Sequence, residues 1–379
     1  MKYPVSITTA SGYGENTVAG ALRELLAPLG GMDSFVRPGQ RVLIKPNMLS
    51  AKGPEKAVTT HPEVVRGVVR LVQECGGVPL VGDSPGVGST FFVAEKCGIL
   101  DVVRGTGAIL VPFDEAVPFP HEIQTFRRLE VAREALEADV IINLPKLKTH
   151  QMMGATCAVK NLFGVVVGLR KANLHLQAGD DKARFARLLL ELARHLAPAL
   201  TVVDGITAME GNGPGSGTPV SVGALLAGSD PVAVDTAAWA LLGLRADSVW
   251  TQRVARQEGF SGSSLADLEL FGPTLESLRP PSFRPAREGD MGFGIPPFLR
   301  HGLRKSLSAL PSADMEKCLL CGICQRHCPV NAISIRGNHL HIDEATCIGC
   351  FCCQELCPEG AITARQGFLL RLYDRWLAR

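Results

Sequence analysis

What this chain lacks narrows its function before any motif is read. No run of about 18 apolar residues occurs in the sequence, which excludes an ordinary membrane-spanning helix. The opening stretch, Met1 to Ala10, alternates apolar and polar residues and has neither a basic n-region nor an apolar h-region. No secretory signal is therefore expected, and the chain reads as cytoplasmic. A charge excess of one sign is missing too: 39 Lys and Arg against 37 Asp and Glu leave a net +2, so no nucleic-acid or anionic-membrane partner is predicted. Low-complexity tracts are absent, although 40 Gly and 25 Pro forecast many tight turns in a globular chain that is 46% hydrophobic. Nucleotide loops are missing as well. Gly211-Asn-Gly213-Pro-Gly215-Ser-Gly217 does not end in the Gly-Lys-Ser/Thr of a Walker A loop, and it lacks the spacing of the dinucleotide fingerprint. Gly86-Val-Gly88 is too short a match for either. The first of these loops reads equally as a backbone anion nest or a flexible connector.

What is present in excess is cysteine. Nine of the 12 lie between Cys318 and Cys357, and crowded thiols in a reducing compartment serve metal more than disulfides. Cys318, Cys321, Cys324 and Cys328, followed by Pro329, form a Cys-x2-Cys-x2-Cys-x3-Cys-Pro run. Cys347, Cys350, Cys353 and Cys357, followed by Pro358, repeat it 29 residues on, as do Ala361 after Ala332 and Ile362 after Ile333. Three thiolates at steps of three residues wrap one cluster, and the turn before Pro carries the fourth to the other cluster. Two [4Fe-4S] clusters are therefore predicted. One is on Cys318, Cys321, Cys324 and Cys357, the other on Cys347, Cys350, Cys353 and Cys328. A zinc ribbon would need two knuckles with a longer spacer between them. Residues Ala313 to Ala364 resemble the two-cluster bacterial ferredoxin domain, with Ala332–Ile335 and His339–Ile342 as a small hairpin. Cys352, the ninth thiol, replaces Ile323 of the first copy and is expected as a small buried side chain, and His327 is expected at the surface.

The larger N-terminal region carries strand-like runs at Arg41–Lys45, Val78–Gly82, Val140–Leu144, Ala199–Val203 and Val222–Ala227. Amphipathic stretches such as Pro62–Cys75 and Arg184–Leu196 lie between them. This predicts an α/β fold with a mostly parallel sheet flanked by helices, followed by a small α+β ferredoxin-like domain. Each run ends in charged or amide side chains, and in open α/β sheets the carboxyl ends of strands converge on the ligand crevice. Lys45, Asn47, Asp83, Ser84, Asn161, Asp204, Glu210 and Asn212 are thus candidate ligand contacts. Lys146, Lys148, His150, Lys160 and His61 are candidate catalytic groups that bind, polarise or protonate an anion. Thr60 is expected to cap the helix that starts at Pro62, and Asp230 the one at Val232–Leu242. Asp235, one turn further in, has no such simple role, and Cys157 is expected to be buried.

Together Lys45-Pro-Asn47, Thr60-His61-Pro-Glu63, Gly82-Asp83-Ser84-Pro-Gly86, Leu144-Pro-Lys146-Leu-Lys148-Thr-His150, Ala158-Val-Lys160-Asn161, Val203-Asp204-Gly and Asp230-Pro-Val-Ala-Val-Asp235 resemble the DUF362 family over most of Met1 to Leu244. Members often carry a ferredoxin-type module near one end. The resemblance implies an iron–sulfur-linked domain with a redox role and names no substrate.

The expected organisation is an α/β domain at 1–278, a Pro/Gly-rich linker at 279–312 with a short basic helix around 297–310, the two-cluster domain at 313–364, and an amphipathic helix at 365–379. The expected activity is a reductase that takes electrons from a ferredoxin or another redox protein and passes them to an anionic small molecule. A non-catalytic electron carrier that docks a partner oxidoreductase is the alternative, and cofactor maturation is a third reading.

Overall fold

The computed structural model describes residues 2–126, 128–168, 170–286 and 309–367. Among the described residues, twelve strands belong to the α/β domain: β1 (Tyr3–Thr9), β2 (Arg41–Pro46), β3 (Val78–Val81), β4 (Ile109–Leu110), β5 (Ala116–Pro118), β6 (Glu130–Ala132), β7 (Val140–Leu144), β8 (Lys146–His150), β9 (Gly154–Thr156), β10 (Leu200–Glu210), β11 (Thr218–Gly228) and β12 (Leu268–Phe271). Ten of them form one sheet of order β12-β1-β11-β10-β7-β2-β3-β4, with β8 and β9 branching from β10. The stretch β10-β7-β2-β3-β4 is parallel. Antiparallel pairing joins β1 to β11 and β11 to β10. The sheet is thus mixed and mostly parallel.

Side-chain alternation explains the layers. In β2, Val42 and Ile44 enter one apolar cluster and Leu43 the opposite one, as a two-residue period requires. The first cluster packs Val64, Val65, Val68 and Val72 of the helix Pro62–Glu74 with Leu22 and Leu25 of Glu15–Leu26. The second packs Phe185, Leu188, Leu189 and Leu192 of Lys182–Leu196. A sheet covered on both faces buries its strands throughout, which is why β7 and β8 have no exposed residue.

Two capping expectations meet different outcomes. Asp230 accepts from Ala233 N at 2.7 Å and caps Pro231–Leu241 as expected. The cap of Pro62–Glu74 is His61, whose Nδ1 accepts from Glu63 N. Thr60 is drawn away, since its hydroxyl accepts from Asn47 N and donates to Leu144 O, tying two strand ends together.

The cysteine-rich module adds β13 (Ala309–Ala313), β14 (Ile333–Arg336), β15 (His339–Ile342) and β16 (Ile362–Gln366). β13 pairs antiparallel with β16, and β14 with β15 as the expected hairpin. The module therefore begins by Ala309, inside the stretch read as linker. Another part of that stretch lies on the α/β domain: Arg284 Nε bonds Glu210 Oε1 at 2.6 Å. The basic helix expected at 297–310, apart from the residues that form β13, lies outside the described residues, as does most of the helix expected at 365–379, whose first residues, Arg365 and Gln366, are strand in β16 instead. Among the described residues no helix is long and apolar enough to cross a membrane.

The glycine-rich loop after β10 is not a free connector. It is a close-approach surface for the cysteine-rich module. A Cβ on Gly215 would come within 3.1 Å of Glu355 O, and one on Gly360 within 2.7 Å of Ser216 Oγ.

Candidate functional site

The site grows from β8. Lys146, Lys148 and His150 alternate with Leu147 and Thr149, so the three ionisable side chains share one face of a fully buried strand. Burying three such groups is costly without partners, and the partners differ. Lys146 Nζ pairs with Asp204 Oδ2 at 2.7 Å and meets the Tyr13 hydroxyl at 2.8 Å. Among the described residues Lys148 Nζ donates to neutral oxygens, Asn47 Oδ1 at 2.9 Å and Val58 O at 2.7 Å. His150 Nδ1 accepts from Met152 N and Met153 N, which leaves its proton on Nε2, 2.8 Å from Glu355 Oε1.

Lys148 and His150 open into a cavity of about 100 Å³ between the two modules. From the α/β domain it is lined by Asn47, Asp83, Ser84, Lys160, Asn161, Lys171 and His175 as well. From the cysteine-rich module it is lined by His327, Cys352, Glu355 and Leu356. Burial pulls Lys148 down to about 7, helped by the nearby Lys160 ammonium, and pulls Lys171 down to about 8. Burial likewise lowers His150 to about 4 and His175 to about 3, so both imidazoles are neutral at pH 7. Glu355 moves oppositely: burial would raise its pKa, but Lys160 and then His150 hold it below the usual carboxylate range. His175 Nδ1 is buried without a partner among the described residues.

Behind the cavity wall, Lys45 is fully buried and pairs with Asp83 at 2.8 Å, while Met48 N donates to the other Asp83 oxygen. Gly164 is required there, because a Cβ would stand 2.0 Å from Asp83 Oδ1. Asn161 bridges Asn143 Oδ1 and Asn47 Nδ2, fixing the amide that receives Lys148. Asp235 accepts from Ala158 N and Val159 N, and so orients the Ala158–Asn161 turn that carries Lys160.

The structure therefore brings together Lys148, His150, Lys160, Asn47, Asp83, Ser84 and Asn161, with Lys45 just behind. It does not bring in the others. Lys146, Asp204 and His61 belong to a separate group built on the buried Lys146–Asp204 pair. There Tyr13 donates to Asp204, His61 N donates to the same carboxylate, and the Tyr13 and His61 rings stack at 3.5 Å. Glu210 is taken by Arg284, and Asn212 accepts from Gln354 Nε2 at 2.6 Å. The expected single crevice is thus two polar centres and a clasp between modules.

Sequence reasoning missed Glu355, Lys171 and His175, and it placed His327 at the surface, whereas His327 is half-buried against the cavity. Cys352 is buried as expected, yet it also lines the cavity. Cys157 is buried. One signal was available. Twenty-nine residues before Glu355 the repeat carries Arg326, so the two copies differ in charge at this position.

The cysteine set fits two clusters. Cys318, Cys321, Cys324 and Cys357 line one small cavity. Cys353 has Cys350, Cys347 and Cys328 among its electrostatic neighbours, with Cys324 nearby. Backbone amides of Ala332, Gly349 and Ala361 donate to the sulfurs of Cys328, Cys347 and Cys357 at 3.3–3.4 Å, the donor pattern that steadies cluster-bound thiolates. These eight cysteines are the residues that would hold two [4Fe-4S] clusters.

Comparison with known proteins agrees. A domain of unknown function, DUF362, matches residues 42–240, and a 4Fe-4S dicluster domain matches residues 310–358. A thylakoid-associated protein of Synechocystis sp. is 46% identical over 235 residues, which is 62% of this chain and 73% of that protein. Among solved structures, the lactate racemase apoprotein of Thermoanaerobacterium thermosaccharolyticum shares 14% identity at a TM-score of 0.38 over 61% of this chain and 54% of its own. A Thermotoga maritima protein shares 14% at 0.34 over 53% and 52%. The chain spans about half the length of each of these two.

Proposed function

The chain belongs to the DUF362 family and carries a 4Fe-4S dicluster domain, and on that premise we propose that it is a reductase acting on a small anionic molecule held in the cavity between its modules. The observation that carries the reading is the shared wall: Cys352, Glu355 and Leu356 lie among the ligands Cys350, Cys353 and Cys357 and face Lys148, His150 and Lys160 across the cavity. The two clusters supply electrons one at a time.

The residues do the rest. Lys160 and Lys171 attract the anion, and cations in a buried site act more strongly than in water. Lys148, with a pKa of about 7, can bind the anion as an ammonium and release a proton to it near neutral pH. The Lys45–Asp83 pair and the Asn143–Asn161–Asn47 amides hold that wall in place. Donor access is supported at the first ligand run, where Cys321 is exposed and Leu319 is 71% exposed, whereas Cys347, Cys350 and Cys353 are buried.

The test is anaerobic. Reduced holoprotein is mixed with candidate small anions, and cluster reoxidation is followed by absorbance in wild type, Lys148→Ala and Lys160→Ala. Reoxidation that slows at least about tenfold in both variants is expected from the loss of one charge–anion interaction. If only a partner protein reoxidises the clusters, and does so equally in all three, the carrier alternative holds instead.

A further inference from the structure

One wall of the cavity is itself an anion, and it comes from the wrong side. The cations Lys148, Lys160 and Lys171 all belong to the α/β domain, whereas Glu355 is delivered by the cysteine-rich module. Its Oε1 stands 2.8 Å from His150 Nε2, and its side chain is 13% exposed. Among the described residues the only other carboxylate in the lining, Asp83, is already neutralised by Lys45 and by Met48 N. The ligand run does not need an acid at this position either. Its counterpart in the first copy is Arg326, exposed and bonded to Cys321 O at 3.2 Å. Glu355 therefore answers the cavity, not the cluster fold. It sits on the helical turn Cys352–Glu355, which Gln354 fastens to Asn212.

We propose that Glu355 occupies the subsite for the ligand's anionic group. A small carboxylate or oxyanion would then bind by taking its place beside His150, moving a side chain two residues from the ligands Cys353 and Cys357. This rests on the reading that the cavity binds a small anion, and it narrows the class. The ligand carries its charge on a compact group, and a space of about 100 Å³ is below the several hundred Å³ usual for nucleotide-sized ligands. A competitor tethered in the chain acts at an effective concentration in the millimolar range or above, so ligand affinity is set against Glu355.

Holoprotein with both clusters is compared as wild type and Glu355→Gln, with iron content and the spectrum of the reduced clusters as folding controls. Acetate and sulfate are the probes. Their binding is measured calorimetrically, and the electron paramagnetic resonance of the reduced clusters is recorded with and without them. The expected result is binding at least about tenfold tighter in Glu355→Gln, the effect of removing a like charge from one site, with an anion-dependent change in the resonance. Where Glu355→Gln loses its clusters, Glu355→Asp serves, with smaller tightening expected because its shorter side chain withdraws from His150. Equal or weaker binding in the variant, or none in either protein, overturns the proposal. A strut between modules would give that weaker binding. The two readings fail separately. Tighter binding without reoxidation by any small acceptor sinks the reductase and leaves the displaced carboxylate. Reoxidation with an unchanged affinity sinks the displacement alone.

Discussion

Lys148 Nζ has an amide oxygen and a main-chain carbonyl for partners, and burial with Lys160 beside it brings its pKa to about 7. The other charges that act on it are Glu355, Lys146 and Asp83. Below pH 7 it is an ammonium and above it an amine, so anion binding should weaken as pH rises from 6 to 8. Lys148→Met should remove the part of the slope centred near pH 7 and leave the part due to Lys171 near pH 8, by calorimetry of the same anion across the range. Asp235 runs the other way. Burial raises its carboxyl to about 7 although two backbone amides point at it. A raised carboxyl contributes stability that is full below its unfolded pKa near 4 and is lost as pH rises through 7. Asp235→Asn keeps an acceptor for Ala158 N but turns its amide NH2 toward Val159 N, so the holoprotein should unfold at lower urea than wild type at pH 4, and the deficit should narrow toward pH 8 as wild type loses the contribution of its protonated carboxyl. Asp235→Ala loses both acceptors and should be weaker than wild type at pH 4 by about 1–2 kcal/mol, the usual cost of a lost cap.

At the scale of elements, β8 and the turn that follows β9 decide what reaches the cavity. The alternation of Lys146, Lys148 and His150 was legible, since a two-residue period puts all three on one face. Their division was not. Tyr13, far away in the chain, claims Asp204 together with Lys146, and nothing near Lys146 in sequence announces it. The turn carrying Lys160 leads into Gly164, which lies against the Lys45–Asp83 pair. Gly164→Ala should push that pair apart. Breaking a buried pair costs about 3–5 kcal/mol, so the variant should unfold at markedly lower urea, or fail to accumulate as folded protein, while Gly20→Ala, in the helix Glu15–Leu26, whose Cβ meets nothing within 4 Å, should cost nothing measurable.

For the whole molecule the question is how firmly the cluster module is seated. Gln354 is buried and donates to Asn212 Oδ1 and Asn212 O, and Asn212 Nδ2 donates to Ile362 O. Gln354→Ala should leave the iron content unchanged and increase cleavage between the modules in limited proteolysis. The same variant should slow reoxidation by any small acceptor, because the cavity exists only while the modules are docked. The cysteine repeat, the helix and strand runs and most cavity residues were written in the sequence, because ligand spacing and apolar period are local properties of a chain. Glu355, His175 and the separation of Lys146 from Lys148 were decided only by the tertiary structure. Which carboxylate neutralises which cation depends on groups far apart in the chain meeting in a low-dielectric interior, and no local pattern records that choice.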